Sequence, residues 1–447
     1  MLAPEFARYA ALTIFCVGFA SFLFLDRYRY IAALFAAVLV VALGLFSPAE
    51  ALRSVDWKIV TIFFTTLAAA EVFMLSGAAA MAAEAILTRL KRPVYAILTL
   101  CALTGFLSMF VENVACVLIA APVALSLASR LKMPPQPILV ACALASNLQG
   151  CGLLVGDPPS MLLAEEARFS FLDFIWVDGR PSIFWAVQAG GLAGLVFLWF
   201  VFRKHTGTVE IKRTARLLGI LPTVCLFGVV ASLAVGTQLE NGIGWGAAIG
   251  CSVFAVISFL WLAARTRGGA APDEKIEDAL FAHELPNPVA YLKGLDWNTI
   301  LFITAVFIPV SALAHYGWIN DLASVILSVS HGNPLLVFLI LVITAMIASA
   351  FVDNVPFLLV MLPAVTALGT GCGIEGRPIV LYFGLLLGAS VGGNITPIGA
   401  QANIAAVGLL RKHGAPITLR SYLSLSLPYT ILAVAAAALW TYFFYGC

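Results

Sequence analysis

The sequence predicts an all-α polytopic membrane protein built as two inverted halves. Each half has five transmembrane helices and one re-entrant hairpin, and two of the helices are discontinuous. Three observations predict it. Apolar runs of the ~20 residues that cross a bilayer recur along the whole 447-residue chain. Charged residues make up 11% and hydrophobic residues 62%, whereas a soluble domain carries about 25% charged residues; mean hydropathy is +1.01. Two distant stretches share one unusual pattern, Phe110-Val111-Glu112-Asn113-Val114-Ala115 and Phe351-Val352-Asp353-Asn354-Val355-Pro356. Each sets an acid–amide pair in apolar sequence, with a polar, helix-breaking run further on.

Several classes are set aside at this level. A transmembrane β-barrel would alternate in strands of about ten residues. A net charge of +2 gives no reason to expect a nucleic-acid partner. Met1 to Arg8 lack a basic n-region and a small-residue cleavage site, so no removable signal peptide is expected. The nine cysteines lie singly, as at Cys16, Cys101, Cys142 and Cys251, and read as small hydrophobes. No His/Cys/Asp cluster has catalytic zinc spacing, and no nucleophile–base pair suggests an enzyme.

Spans are expected at about 9–25 and 29–46, parted by Asp26-Arg27-Tyr28-Arg29-Tyr30, and from Trp57 to Leu75. A small-residue segment, 77–90, follows. The apolar block 93–129 is interrupted chiefly by Glu112-Asn113. Arg89, Lys91 and Arg92 precede it, and Arg130 and Lys132 follow it. Basic residues favour the cytoplasmic side, so the block enters and returns. Its middle has no Gly, Pro or second polar pair to mark an external turn. It reads as a hairpin with Glu112-Asn113 at its tip, where non-helical backbone is tolerated only inside protein or beside water. Segment 137–165 begins as a helix and then meets Asn147, Gly150, Gly152, Gly156 and Asp157-Pro158-Pro159. Proline removes a backbone donor and clashes within a helix, which predicts a discontinuous span. Span 181–202 completes the first half, 1–216.

The second half, 217–447, repeats the plan. Spans 217–234 and 243–264 lead to a charged linker from Arg265 to Lys293, with Asp273, Glu274, Glu277 and Asp278 in it. Span 298–316, hairpin 333–371 tipped by Asp353-Asn354, broken helix 377–410 and span 421–444 follow. Leu295-Asp296-Trp297 echoes Val55-Asp56-Trp57. Following this path puts Arg8, Arg53, Lys58, Arg168, Arg180 and Arg377 outside and every other one of the 25 basic residues inside, as the positive-inside rule requires. Both termini are then outside the cytoplasmic membrane. An odd number of spans inverts the second half, the architecture of secondary transporters whose broken helices meet near the midplane.

An ionisable group deep in a bilayer is costly and marks function by default. Glu112 and Asp353 are therefore candidates for ion or proton handling, and as hairpin-tip caps they would also accept bonds from free helix N–H groups. Asn113 and Asn354 offer both a donor and an acceptor. Asp157, where the second half has Ala400, is either a third site carboxylate or a turn residue beside prolines. Three acids without an obvious basic partner favour a cation or a neutral hydroxylated solute, though half-helix N-termini can hold an oxyanion. Sodium is expected near Glu112, Asn113, Asp157, Asp353 and Asn354 if a metal ion couples transport; otherwise a proton does. Glu71, with Ser311 at the corresponding place in the second half, reads equally as a proton carrier or a packed polar group. Tyr28, Tyr30, Trp57, Trp176 and Trp297 read as interfacial anchors.

Gly156-Asp157-Pro158-Pro159, Asp353-Asn354-Val355-Pro356, Gly392-Gly393-Asn394 and Gly399-Ala400-Gln401-Ala402-Asn403, with Ser170-Phe171-Leu172-Asp173-Phe174, resemble the arsenite-permease and NhaD-type sodium/proton antiporter family. That family belongs to the ion transporter superfamily, with the bacterial dicarboxylate/citrate transporters. The resemblance implies a homodimer, scaffold and transport domains interleaved across both halves, and elevator-type alternating access. Carried over, it implies a site of Glu112, Asn113, Asn147, Gly156, Asp157, Pro158, Pro159, Asp353, Asn354, Asn394, Gly399 and Asn403. This chain departs from the pattern at Ser160, where members have Asn, and at its tips, which lack the Ser-Asn-Thr of the dicarboxylate branch. The expectation is a secondary active transporter with no cofactor besides a coupling ion, embedded in lipid and exchanging a small inorganic ion or solute, by Na+/H+ antiport or arsenite-like export. Sodium-coupled di- or tricarboxylate uptake is the alternative, and an ion channel the alternative of another class.

Overall fold

The computed structural model describes residues 4–24, 28–205, 207, 215–267 and 285–446. Asp26, Arg27, Lys212, Arg213, Lys275 and the linker acids Asp273, Glu274, Glu277 and Asp278 lie outside the described residues. The fold is helical. The first half runs α1 (Pro4–Phe24), α2 (Arg29–Ala42), α3 (Pro48–Arg53), α4 (Trp57–Leu75), α5 (Ala78–Leu87), α6 (Pro93–Ser108), α7 (Asn113–Arg130), α8 (Gln136–Gly150), α9 (Pro158–Glu166) and α10 (Ile183–Phe202). A short antiparallel ribbon, β1 (Trp176–Val177) with β2 (Arg180–Pro181), precedes α10. The second half runs α11 (Leu221–Leu239), α12 (Trp245–Arg267), α13 (Pro288–Gly294), α14 (Trp297–His315), α15 (Trp318–Ser330), α16 (Pro334–Ser349), α17 (Asn354–Gly371), α18 (Ile379–Gly392), α19 (Gln401–Lys412) and α20 (Leu419–Tyr445). Among the described residues, eight helices (α4, α7, α10, α11, α12, α14, α17 and α20) are long and apolar enough to cross a membrane. A ninth arises if α15 and α16, bent by 120°, count as one span.

Local chemistry sets the helix starts. Asp56 accepts from the backbone N–H groups of Lys58 and Ile59, and Asp296 accepts from that of Thr299. An N-cap acid satisfies donors that no helix turn can. The following tryptophans behave alike too: Trp57 Nε1 donates to Leu52 O at 3.0 Å and Trp297 Nε1 to Leu292 O at 2.6 Å. Gly77 and Gly317 stand at φ 78° and 82° before α5 and α15, a left-handed bend open to glycine without Cβ cost. Proline opens α3, α6, α9, α13 and α16, where its missing N–H costs nothing.

Two expectations change. The span at 29–46 is a 14-residue helix ending at Ala42, because the chain turns at Gly44, φ 69°, and restarts as α3 under a Ser47/Glu50 capping box. Glu50 lies in this connection, and the Ser47 backbone N–H holds its carboxyl below the usual range. Arg29, counted among the loop cations, is 8% exposed within the fold.

The helices pack as two groups. In one, α4 lies on α11 and α12, and α14 on α1 and α2. In the other, α6 packs on α8, α16 on α18, α10 on α20, α7 on α19 and α9 on α17. α4, α7, α9, α10 and α14 pack on elements of the other half, whereas α6 on α8 and α16 on α18 pack within their own halves. The groups touch where α4 meets α9 and α14 meets α17. Polar contacts tie the connections: Arg8 pairs with Asp321 and Arg377 with Asp178, and Gln136 bonds Pro416 O and Arg265 bonds Leu218 O.

Candidate functional site

Four helix starts of the second group converge on one cavity of about 90 Å³, which α4 and α14 of the first group close from the other side. It is lined by Glu112, Asn113 and Val114 at the start of α7, by Gly156 to Pro159 at the start of α9, by Asp353, Asn354 and Val355 at the start of α17, and by Gly399 to Ala402 at the start of α19. Thr66, Asn147, Thr299 and Ser390 complete the polar lining. Each helix start offers unsatisfied N–H donors and the positive end of a dipole.

The four starts are not equivalent. Asp157 Oδ1 accepts from the Ser160 N–H at 3.2 Å and the Ser160 hydroxyl at 2.8 Å, capping α9. Asp353 Oδ1 accepts from the Val355 N–H at 3.1 Å, capping α17. Neither Glu112 nor Ala400 makes a side-chain cap on α7 or α19. The capped pair α9/α17 packs together, and so does the open pair α7/α19. The cavity thus has a side capped by Asp157 and Asp353 and a side of uncapped helix N-termini, where the Glu112 carboxylate also stands.

Close approach of the broken helices requires glycine. A Cβ on Gly156 would fall 2.1 Å from Gly150 O and 2.8 Å from Ser108 O; one on Gly399 would fall 2.6 Å from Gly393 O and 2.9 Å from Ser349 O. The same contact occurs in both halves.

The expected asparagines divide. Asn147 lines the cavity and donates to Asn394 Oδ1 at 2.8 Å and Asn403 Oδ1 at 3.0 Å. Asn394 donates in turn to Leu144 O, and Asn403 to Gly393 O and Thr396 O. Asn394 and Asn403 are fully buried and brace the two broken helices to each other behind the cavity wall. Asn113 accepts a bond from Ser108, and Ser146 donates to the Asn113 carbonyl at 3.2 Å.

The expectation of acids without a basic partner is corrected. Arg29 pairs with Asp353 and donates to Thr299 Oγ1 at 3.0 Å, with its guanidinium 4.9 Å from the Phe302 ring centroid. Thr299 also bonds Asp296. The Gln401 amide, oriented to satisfy both of its ends, accepts from Arg29 and donates to Glu112 Oε1 at 3.3 Å. A second cavity of about 480 Å³ adjoins the first, sharing Glu112, Thr299 and Gln401, and is lined also by Arg29, Glu71 and Asp296. Glu71 therefore faces this vestibule. Arg29, Thr299 and Gln401 were missed from sequence. Gln401 stood within a quoted motif, and Arg29 opened an apolar run.

A profile of the citrate transporter family, CitMHS, matches residues 19–383 and, in a second alignment, 279–446. The chain belongs to the citrate transporter family. It is a membrane transporter of that family, within the ion transporter superfamily. A 46 kDa membrane protein of Mycobacterium leprae is 27% identical over 456 residues, covering 97% of this chain and 98% of its own length. An uncharacterized transporter of Mycobacterium tuberculosis is 29% identical over 454 residues, covering 98% and 99%. The YdaH transporter of Alcanivorax borkumensis superposes with a TM-score of 0.57 at 15% identity, over 90% of this chain and 87% of that one. This last likeness shows the shared transporter fold.

Proposed function

We propose that this member of the citrate transporter family is a secondary active transporter of the cytoplasmic membrane, coupling sodium or protons to movement of a small carboxylate of the citrate class. The observation that carries the reading is the two-sided cavity: Asp157 and Asp353 on one side, the uncapped starts of α7 and α19 on the other. Carboxylates suit a cation, and free helix N-termini suit an anion. The family profile supports the carboxylate.

In this reading α6/α7 and α16/α17 are re-entrant hairpins entering from opposite sides, and the halves are inverted about the site. The second packed group is the transport domain and the first the scaffold, in a homodimer that works by an elevator motion. The acids at the hairpin tips and the Gly156-Asp157-Pro158-Pro159 motif favour a second reading, exchange of small inorganic ions by Na+/H+ antiport or arsenite-like export.

Proteoliposome flux tests both. Labelled citrate entering against its gradient, driven by imposed sodium or pH gradients, is the expected result. Sodium–proton or arsenite exchange without citrate movement would replace the first reading with the second. Single-channel currents far above carrier turnover would contradict both.

A further inference from the structure

The Arg29–Asp353 pair joins the two packed groups. Arg29 opens α2, and its guanidinium is held by Thr299 and Phe302 of α14, all in one group. Asp353 begins α17, in the other. The two side chains are 10% and 17% exposed. We propose that the Arg29 guanidinium is a tethered competitor for the coupling cation: it occupies the Asp353 carboxylate in this conformation, and a sodium ion or proton must displace it. The proposal rests on reading Asp353 as a cation ligand.

The chemistry follows from burial. A carboxylate in a low-dielectric site is strongly destabilised without a partner. Arginine stays charged at any physiological pH, so Asp353 is neutralised either by Arg29 or by what replaces it. While Arg29 does so, hairpin α16/α17 is tied to α2 and α14, and the cation-free protein is held in this state. Cation binding fills the seat and releases the tie in one event. A ligand whose competent state is only partly populated binds more weakly by that fraction, so removing the competitor must tighten cation binding.

The charged groups facing the pair are Glu112 through Gln401, Asp296 through Thr299, Glu71 across the vestibule and Asp157 across the inner cavity. On the other helices packed against α17, Asp321 of α15 is engaged by Arg8, Glu165 of α9 by Lys58, and Tyr382 of α18 by Thr366.

The test is thermal stability of purified full-length protein, titrated with sodium chloride against choline chloride at fixed ionic strength and, separately, with pH. Arg29→Gln should lower the sodium midpoint about tenfold or, if the cation is a proton, raise the pH midpoint by about one unit. Arg29→Lys should stay near wild type. Thr299→Val, which loosens Arg29 without removing it, should shift the midpoint the same way by less, and serves if Arg29→Gln does not fold. Asp353→Asn should remove the dependence. An unchanged or weakened midpoint in Arg29→Gln, with Asp353→Asn flat, overturns the competitor while leaving Asp353 as the ligand. An Asp353→Asn protein that titrates like wild type, or a wild type that responds to neither cation, overturns the reading of Asp353 and the proposal with it.

Discussion

Asp157, Asp353 and Glu112 stood out in the sequence because an acid among apolar residues has no cheap explanation in a bilayer. Arg29 did not, because a basic residue at the start of an apolar run has the same local signature as an interfacial anchor. Only the packing of α2 against α14 turns it toward Asp353. Gln401 was equally hidden: nothing in Gly399-Ala400-Gln401-Ala402-Asn403 says which amide faces the cavity and which braces the wall. Two predictions belong here. Asp353→Asn keeps the side-chain size and removes the charge, so cation-driven flux in proteoliposomes should fall at least about a hundredfold, roughly 2.7 kcal/mol, with normal elution on size exclusion. Asn147→Leu leaves two buried asparagine oxygens short of a donor, and should lower thermal stability by about 1–3 kcal/mol for each acceptor left unpaired. Unchanged unfolding would show that the Asn147–Asn394–Asn403 bonds contribute nothing net.

The long elements were readable from composition. The ends of α4, α6, α7 and α10 fall within two residues or so of the apolar blocks, and both broken helices break at their Gly and Pro runs. The short helices α3, α13 and α15 were not foreseen. α3 and α13 are too short to show a helical period, although Ser47-Pro48-Ala49-Glu50 carries a capping-box signature; α15 does carry an apolar face, Ile319, Ala323 and Ile326, and was legible in the sequence. Tight approach of the broken helices was invisible for another reason. In the sequence Gly156 and Gly399 read as helix breakers, whereas in the fold their lack of a Cβ lets backbone meet backbone. Gly156→Ala should therefore destabilise the protein by about 1–3 kcal/mol through overpacking, and more than Gly408→Ala, where a Cβ meets nothing. Equal melting of the two variants would remove the close-approach argument.

At the scale of the molecule, Arg29–Asp353 and, at 2.8 Å, Lys58–Glu165 join the two packed groups among the described residues. Both lie where an elevator motion would slide one group past the other, and the more exposed of them, Lys58–Glu165, contributes little to stability by itself. A double variant, Lys58→Cys with Glu165→Cys, should lose transport when the two thiols are bridged by a bifunctional thiol cross-linker, while each single variant treated alike keeps its flux. Full flux in the cross-linked protein would contradict relative movement of the two groups. The expectation of inverted halves rests on the distribution of basic residues, whereas the division into groups depends on which helices of one half pack on the other, information that no local pattern carries.

The most direct test of the account is citrate accumulation in proteoliposomes under an imposed sodium or proton gradient, comparing wild type with Asp157→Asn and Asp353→Asn. The account predicts accumulation above equilibrium in the wild type, lost when an ionophore collapses the driving gradient and lost in both variants. Gradient-driven accumulation that persists in both variants would contradict a cation seat built from Asp157 and Asp353.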